Sequence, residues 1–356
     1  MLRRKSGTNM AHGTVATGRR ELLALPLLAA ALAGCSRAAG GKSASSTLGP
    51  QRSVAFAIGT PGSDFVMEIA LGCADAAEML GWRFSRILNP QPTPDAHVNA
   101  IRQAVTARND VVVTVDWYQA VIDEAAKARG SGTRFVMVNA LNNPKEAEAG
   151  GIPFVGTSPR ESGQWLGERM AALLASKGVT SGGVLVGNPF PGSLNVEDRI
   201  AGIGEGLRTA PGLRLVTFPD SAGADPAASV GLYKAKIQQS GDIVAHIAGA
   251  GELSAVPLLK ALGEVGGTAG AVPVGATVSS LKMLEFIKAG RLAFALDENL
   301  YHPGFTAVML AWAGLERGLP AQQLSPGHVW VDAANVDQMI ASYRKRKEAA
   351  SAYGLS

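Results

Sequence analysis

The sequence predicts an α/β protein built from doubly wound parallel sheets, and three observations predict this fold class. Short apolar runs without strict polar alternation, typical of strands buried on both faces, recur between residues 54 and 331. Segments with helical spacing of apolar residues lie between most of these runs. Apolar residues make up 47% of the chain and aromatic residues only 6%, as expected for layers rich in Ala, Val, Leu and Gly. Such alternation is typical of parallel sheets with helices on both faces.

The predicted elements follow one another along most of the chain. Candidate strands fall at 54–58, 83–88, 111–115, 135–138, 154–156, 183–186, 213–218, 243–248, 272–275, 292–296 and 328–331. A first helix follows the loop 60–65, and further candidate helices fall at 97–108, 119–128, 163–175, 198–209, 227–239, 253–265, 281–289 and 301–317. With this many strands and enough residues for roughly two domains, two sheets are more natural than one.

The first 35 residues are predicted to be a targeting segment and not part of the fold. A twin Arg at 19–20 precedes an apolar run, 22–33, that is too short to span a bilayer as a stable helix. The run ends in Leu-Ala-Gly-Cys at 32–35, which resembles the lipobox of bacterial lipoproteins, in which the Cys thiol is acylated and the chain is cut before it. We therefore expect residues 1–35 to be a lipoprotein signal peptide with lipidation at Cys35.

The leader also bears on the export route and the compartment. Its twin Arg resembles a twin-arginine export signal, although Gly18 replaces the usual hydroxyl residue, so that both Sec and Tat export fit. Met10 is an alternative start to Met1. We expect a lipid-anchored protein of the cell envelope, in the periplasm or on the outer face of the cytoplasmic membrane.

Composition restricts what the remaining chain does. The leader holds five of the 33 Lys and Arg residues and one of the 29 Asp and Glu residues, which leaves 28 of each. The net charge of +4 is therefore no argument for a nucleic acid partner.

Residues 36–51 are rich in Ser, Ala and Gly and are expected to form a flexible tether. Cys73 has no partner left if Cys35 carries lipid, and it is expected to be a buried structural thiol.

The residues argue against an enzyme, the second class of function. The five His residues are scattered without metal-ligand spacing, and the sequence has no Gly-x-Ser-x-Gly elbow and no Walker loop. No Gly-x-Gly-x-x-Gly follows the first strand. The sequence therefore predicts no enzyme, no metal and no cofactor.

A series of ordered landmarks resembles the type I periplasmic substrate-binding proteins of ABC transporters, in particular their ribose-binding-like sugar group. The resemblance covers residues 52 to about 343. Its landmarks are the pair 64–65, the strand end 111–116, the segment 154–156 before Gly163, and the segments 199–202, 253–262, 296–301 and 335–337. The order and spacing of these landmarks carry the resemblance, since each of them alone is weak.

The resemblance implies two doubly wound lobes that are joined by three hinge crossings and clamp a ligand in the cleft between them. The first lobe would comprise 52–156 and 300–325, and the second 157–299 and 326–356. Such a protein performs no chemistry: it captures a small polar ligand, such as a sugar or polyol, and delivers it to an ABC permease as a monomer. A transcription regulator of the same fold would need an N-terminal helix-turn-helix, where this chain has a leader. A lipoprotein that presents its ligand to a membrane receptor stays an alternative.

Candidate ligand-binding residues lie just after predicted strands or match the family's cleft positions, where the carboxyl edge of a parallel sheet binds ligands. They are Asp64, Phe65, Asp116, Trp117 and Asn139 in the first lobe, and Arg199, Glu252, Thr277 and Glu298 in the second lobe or the hinge. A carboxylate beside an aromatic face suits sugars, which present a polar rim and C–H faces.

Several of these candidates have local alternatives or depart from the family's pattern. Asp116 also suits a helix cap, and Arg199 suits a surface pair with a neighbouring acid on its own helix. Asn139 and Thr277 stand where many sugar-binding relatives have charged residues. The ligand of those relatives therefore cannot be assigned to this chain. A sugar, a polyol or a modified sugar all fit, and a ligand bearing an amine would suit the two Glu residues.

The C-terminal segment 335–356 is predicted to form a final helix on a lobe surface. It contains the charge run 344–347, Arg-Lys-Arg-Lys. We expect this run to be a solvated face.

Overall fold

The structure, a computed structural model, describes residues 48–266, 272–278 and 280–355. The predicted signal peptide, the predicted acylation site Cys35 and residues 36–47 of the predicted tether lie outside the described residues. In the described part, no helix has the length and apolar character needed to cross a membrane. The same residues contain no cluster of three or more His, Cys, Asp or Glu side chains that would hold a metal ion.

Strands and helices alternate along the described chain, as predicted. The elements of the first half are β1 (Ser53–Gly59), α1 (Asp64–Leu80), β2 (Arg83–Asn89), α2 (Pro94–Thr106), β3 (Val111–Asp116), α3 (Gln119–Ala128), β4 (Arg134–Leu141), α4 (Pro144–Ala149), β5 (Phe154–Gly156) and α5 (Pro159–Ser176). Those of the second half are β6 (Gly182–Asn188), α6 (Leu194–Leu207), β7 (Leu213–Pro219), α7 (Pro226–Gln239), β8 (Ile243–Ala248), α8 (Glu252–Glu264), β9 (Val274–Val278), α9 (Leu281–Lys288), β10 (Phe294–Asp297), α10 (Tyr301–Arg317), β11 (Gln323–Leu324), β12 (Val329–Val331) and α11 (Val336–Ala352).

The strands form two six-stranded sheets, so that the predicted fold class is confirmed. The first sheet has the order β11-β5-β4-β3-β1-β2 and is parallel throughout. The second has the order β12-β10-β9-β8-β6-β7 and is parallel except for β12, which runs antiparallel to β10. We call the layers around these sheets the first and the second lobe. The chain crosses between the sheets after β5, after β10 and between β11 and β12.

The buried strands explain why the sequence forms these sheets. Every residue of β1 and of β3 is buried, and both strands consist largely of Val, Ala and Ile. Helix α1 begins at the expected place because the side chain of Ser63 accepts a hydrogen bond from the Val66 amide. It ends at Gly81, which adopts the left-handed conformation with φ of 69°.

Two glycines let the backbones of α1 and α10 come into direct contact. A Cβ atom at Gly72 would lie 2.1 Å from the Tyr301 carbonyl oxygen, and one at Gly304 would lie 2.1 Å from the Ile69 carbonyl oxygen. Cys73 lies in the same interface, buried, with its Sγ 3.4 Å from the Gly304 carbonyl oxygen. The prediction of a buried structural thiol is confirmed, and burial raises the pKa of this thiol.

The C-terminal helix α11 packs against both lobes. It leaves the second sheet through β12 and contacts α9 of the second lobe and α1 of the first lobe. The prediction that the charge run 344–347 is only a solvated face is wrong for Arg346, because its Nε atom lies 2.7 Å from Oε2 of the buried Glu68 on α1.

Candidate functional site

The strongest polar contacts among the predicted site residues form a network of three side chains. Nη2 of Arg199, on α6, donates to Oε1 of Glu298 at 2.7 Å. Nδ2 of Asn139, in β4, lies 3.5 Å from Oε2 of the same carboxylate. The network therefore links the carboxyl edge of the first sheet to the second lobe through Glu298, which follows β10.

Arg199 is held by two further hydrogen bonds. Its Nε donates to the Ser162 hydroxyl at 3.1 Å and its Nη1 donates to the Gly249 carbonyl oxygen at 3.0 Å. The side chains of Arg199 and Glu298 are each 14% exposed. The guanidinium is thus fixed in orientation, and its charge is balanced by a carboxylate of similar burial.

The backbone around the network explains the position of Arg199. Helices α5 and α6 approach so closely that a Cβ atom at Gly163 would lie 2.1 Å from the Arg199 carbonyl oxygen. A Cβ atom at Gly202 would likewise lie 2.0 Å from the Arg160 carbonyl oxygen. These glycines are therefore required for the start of α5 to approach the middle of α6, where Arg199 lies.

Asn139 adopts a backbone conformation that is uncommon for a side chain of its type. Its φ angle is +65°, in the left-handed region, although Asn tolerates this region better than most residues. Such conformations occur preferentially at functional sites. The turn directs the amide of Asn139 toward Glu298.

An aromatic pair lies at the carboxyl edge of the first sheet. The rings of Phe65 and Trp117 stack with centroids 5.7 Å apart and an interplanar angle of 28°. The His97 ring packs edge-on against Trp117 at 5.9 Å. Both rings of the stacked pair are partly exposed, which leaves an apolar surface available to a ligand.

His97 is a site residue that the sequence analysis missed. Its Nε2 lies 2.8 Å from the Thr114 hydroxyl, which itself donates to the Ala57 carbonyl oxygen at 2.7 Å. Because Thr114 uses its proton on Ala57, Nε2 of His97 must be the donor and must carry the ring proton. The ring is fully buried, and burial lowers the pKa of His97 to about 4.

Asp116 is not brought into the network. Its side chain is fully buried and accepts hydrogen bonds from the Asn143 amide nitrogen at 2.7 Å and from Asn143 Nδ2 at 3.0 Å. Burial raises the pKa of Asp116, and the hydrogen bonds from Asn143 oppose that rise. In this structure Asp116 ties the end of β3 to the start of α4.

Two other predicted residues, Glu252 and Asp64, have local partners, and a third, Thr277, is buried. Glu252, the first residue of α8, accepts from the Ser280 hydroxyl at 2.8 Å and pairs with Lys282 Nζ at 2.9 Å. The Asp64 carboxylate at the start of α1 lies 3.9 Å from Lys347 Nζ. Thr277 is only 6% exposed in β9. Each predicted carboxylate therefore either lies within 4 Å of a cation or, like Asp116, accepts several hydrogen bonds.

Comparisons with known proteins agree with this architecture. A family model described as "Periplasmic binding protein domain" matches residues 54–318. No curated protein sequence matches the chain.

Solved structures with the same fold cover nearly the whole described chain. A solute-binding protein from Burkholderia graminis in complex with D-arabinose has a TM-score of 0.69 at 20% identity and covers 80% of this chain and 96% of its own. One from Actinobacillus succinogenes with bound D-allose has a TM-score of 0.70 at 17% identity, with 81% and 100% covered. A carbohydrate transporter protein from Acidothermus cellulolyticus with myo-inositol has a TM-score of 0.68 at 20% identity, with 83% and 99% covered.

Proposed function

The chain belongs to the periplasmic binding protein family, and from this premise we propose that it captures a small uncharged polyhydroxyl ligand, a neutral sugar or cyclic polyol, between its lobes. Members of this family bind solutes and are not enzymes. Two observations carry the proposal: the charge-balanced pair of Arg199 and Glu298, 2.7 Å apart, and the stacked rings of Phe65 and Trp117 at the carboxyl edge of the first sheet.

The charge balance argues for a neutral ligand. Each predicted carboxylate already has a cation or a set of hydrogen bonds, and this includes Glu252, whose partner is Lys282. A ligand with an unpaired charge would have to lose its hydration without meeting a free counter-charge, which is costly at a buried site. Hydroxyl groups, in contrast, can donate to the outer carboxylate lone pairs and accept from the guanidinium without separating the pair.

The aromatic pair argues for a ring-shaped ligand. Phe65 and Trp117 offer a flat apolar surface on the first lobe, opposite in character to the polar network. A sugar or inositol ring presents C–H groups on its face and hydroxyls at its rim, which matches this division. The relatives above that were solved with arabinose, allose or myo-inositol bind molecules of this kind.

Ligand capture would use the connections between the lobes. We propose that the lobes comprise 52–156 with 300–325, and 157–299 with 326–356, and that they close about the three crossings. A ligand that touches both walls stabilises the closed form in proportion to its preference for that form. The chain acts as a monomer in this proposal, because one chain supplies both walls.

The cellular role follows from the leader. We propose that the chain is exported, anchored through lipid at Cys35, and delivers its ligand to the permease of an ABC transporter. The lipobox-like 32–35 segment supports the anchor, and the family supports delivery.

A thermal-shift screen of the full-length protein tests the proposal. The panel contains neutral pentoses and hexoses, polyols including myo-inositol, amino sugars, sugar acids and amino acids. A ligand that binds only the folded state raises the melting temperature, with a gain in free energy of about 2.7 kcal/mol at a hundredfold excess over its Kd. We expect a neutral sugar or polyol to produce the largest shift.

Matched variants show whether the shift comes from the proposed site. Arg199→Gln should abolish most of it. Arg214→Gln should not, because Arg214 pairs with Asp242 on the surface of the same lobe, 52% and 58% exposed, at the amino ends of β7 and β8. The proposal would be contradicted if a charged ligand raised the melting temperature most, or if Arg199→Gln and Arg214→Gln reduced the shift equally.

A further inference from the structure

Besides the three crossings, the two lobes are joined by non-covalent contacts of helix α11. Helix α11 is rooted in the second lobe by β12 and by its packing on α9, and an exposed ion pair between Lys288 and Asp337, 2.7 Å apart, lies at the edge of that contact. Its far end lies on the first lobe, where Arg346 binds Glu68 of α1. We propose that this far end of α11 is a latch: it stabilises the closed arrangement of the lobes and must leave α1 for the cleft to open.

The central contact of the latch is an ion pair in which the carboxylate is buried and the guanidinium is partly exposed. Nε of Arg346 lies 2.9 Å and 2.7 Å from the two carboxylate oxygens of Glu68. The Glu68 side chain is only 5% exposed and that of Arg346 is 26% exposed. A buried carboxylate that loses its only cation is strongly destabilised, so that the pair favours whichever lobe arrangement keeps it formed.

Further contacts hold the end of α11 to the first lobe. The Arg86 side chain donates to the Leu355 and Gly354 carbonyl oxygens, and the Tyr353 hydroxyl donates to the Glu78 carboxylate. These groups lie on β2 and α1, which belong to the first lobe. A rotation of the second lobe about the crossings would carry α11 with it and would therefore break these contacts.

The interface is of a kind that can separate. A small cavity of about 80 Å³ lies between α11, α1 and the end of β10, and Glu68, Asp297, Tyr343 and Arg346 line it. The Tyr343 side chain, also on this face, is buried, and its hydroxyl faces the Asp64 carboxylate of α1. Polar, incompletely packed contacts such as these cost less to open than a dense apolar core.

The latch is also next to the proposed ligand site. Lys347, the neighbour of Arg346, lies 3.9 Å from Asp64 at the start of α1, and Phe65 of the aromatic pair follows Asp64. Asp297 faces the cavity, whereas the adjacent Glu298 faces Arg199. The second crossing thus has the latch on one side and the ligand network on the other, so that one lobe motion affects both.

A distance measurement tests the latch without any ligand. Spin labels at Gln91→Cys and Ala224→Cys report lobe opening, because these exposed positions follow β2 and β7, the edge strands farthest from the crossings. The described Cys73 is buried and should not be labelled. In the full-length protein, we expect Arg346→Ala and Glu68→Gln to shift the distance distribution to longer values relative to the wild type.

Two controls make the result decisive. Lys288→Ala removes an α11 contact within the second lobe and should leave the distribution unchanged. Arg346→Lys keeps the charge and should restore most of the wild-type distribution. Circular dichroism identifies any variant that fails to fold, in which case Glu68→Gln, which keeps the side-chain size, decides. Distributions for Arg346→Ala and Glu68→Gln that match those of the wild type and Lys288→Ala would overturn the latch.

A second readout rests on the proposed function. With the ligand from the thermal-shift screen, Arg346→Ala should release it on the order of tenfold faster, while the association rate changes little. Unchanged release with a longer label distance would refute the coupling to ligand release and leave the latch standing. Failure of the screen itself would refute the proposed ligand class and leave the distance test unaffected.

Discussion

Removing either charge of the Arg199–Glu298 pair should change the charge of the ligand that the cleft prefers. Glu298→Gln removes the carboxylate that neutralises Arg199 and keeps the size of the side chain. Arg199→Gln removes the cation and leaves the carboxylate, which is 14% exposed. We expect the first variant to gain affinity for an acid derivative of the sugar relative to the neutral sugar, and the second to gain relative affinity for an amine derivative.

The energy of a single charge pair sets the size of this change in relative affinity. Two unit charges about 4 Å apart interact by about 4 kcal/mol at an effective dielectric constant of about 20. The charged ligand group must also lose water when it binds, which offsets a large part of that energy. We expect about 1.4 kcal/mol to remain, which is a tenfold change in the ratio of the two dissociation constants.

Isothermal titration of the wild type and both variants with the neutral, acid and amine forms of one ring measures these ratios. Asp242→Asn is the control, since it breaks the Arg214 pair on the surface of the same lobe. The reasoning is refuted if Glu298→Gln and Arg199→Gln change the ratios no more than Asp242→Asn does, or if both variants shift toward the same charged form.

Three further predictions concern the first lobe. Trp117→Ala should weaken ligand binding about tenfold, because it removes half of the stacked pair, and equal titration curves for variant and wild type would contradict this. Asp116→Asn should lower the free energy of unfolding by about 1–3 kcal/mol, because it replaces one of the two carboxylate oxygens that accept from Asn143 with an NH2 donor. Ligand affinity should stay within about twofold; denaturant titration measures the first quantity and calorimetry the second. Burial of His97 should make the free energy of unfolding fall as the pH drops from about 6.5 toward 4. The pKa of His97 is about 4 in the folded state and about 6.5 in the unfolded state, so that only the unfolded state takes up a proton in this range. The loss is at most about 3 kcal/mol, and His97→Gln should reduce the difference between denaturant titrations at pH 7 and pH 5.

Local sequence patterns were sufficient to predict the fold. The buried apolar runs correspond to strands such as β1 and β3, and the helix predicted after the loop 60–65 begins at Asp64. Two short elements were missed, α4 with six residues and β11 with two, because so few residues carry little periodicity. Short-range signals thus determine which elements form.

Contacts between distant residues could not be predicted from the pattern. Arg199 had acidic neighbours on its own helix as alternatives, but its partner is Glu298, 99 residues away. Asp116 likewise meets Asn143 across two strand ends. Such pairs depend on the register of the sheets and on the angle between the lobes, and neither leaves a local signal.

The buried His97 and the latch were missed for a similar reason. His97 falls in a predicted helix, and nothing in its neighbours indicates that its ring meets Thr114 of β3. The charge run at 344–347 is typical of a solvated face, and only the packing of α11 on α1 shows that Arg346 has a buried partner.

A crystal structure of the full-length protein with the best neutral ligand from the screen tests the central claim most directly. The account predicts that the ring lies against Trp117, that its hydroxyls contact both Arg199 and Glu298, and that these two side chains remain paired. A ligand held by one lobe alone, or one that inserts a charged group between Arg199 and Glu298, would contradict it.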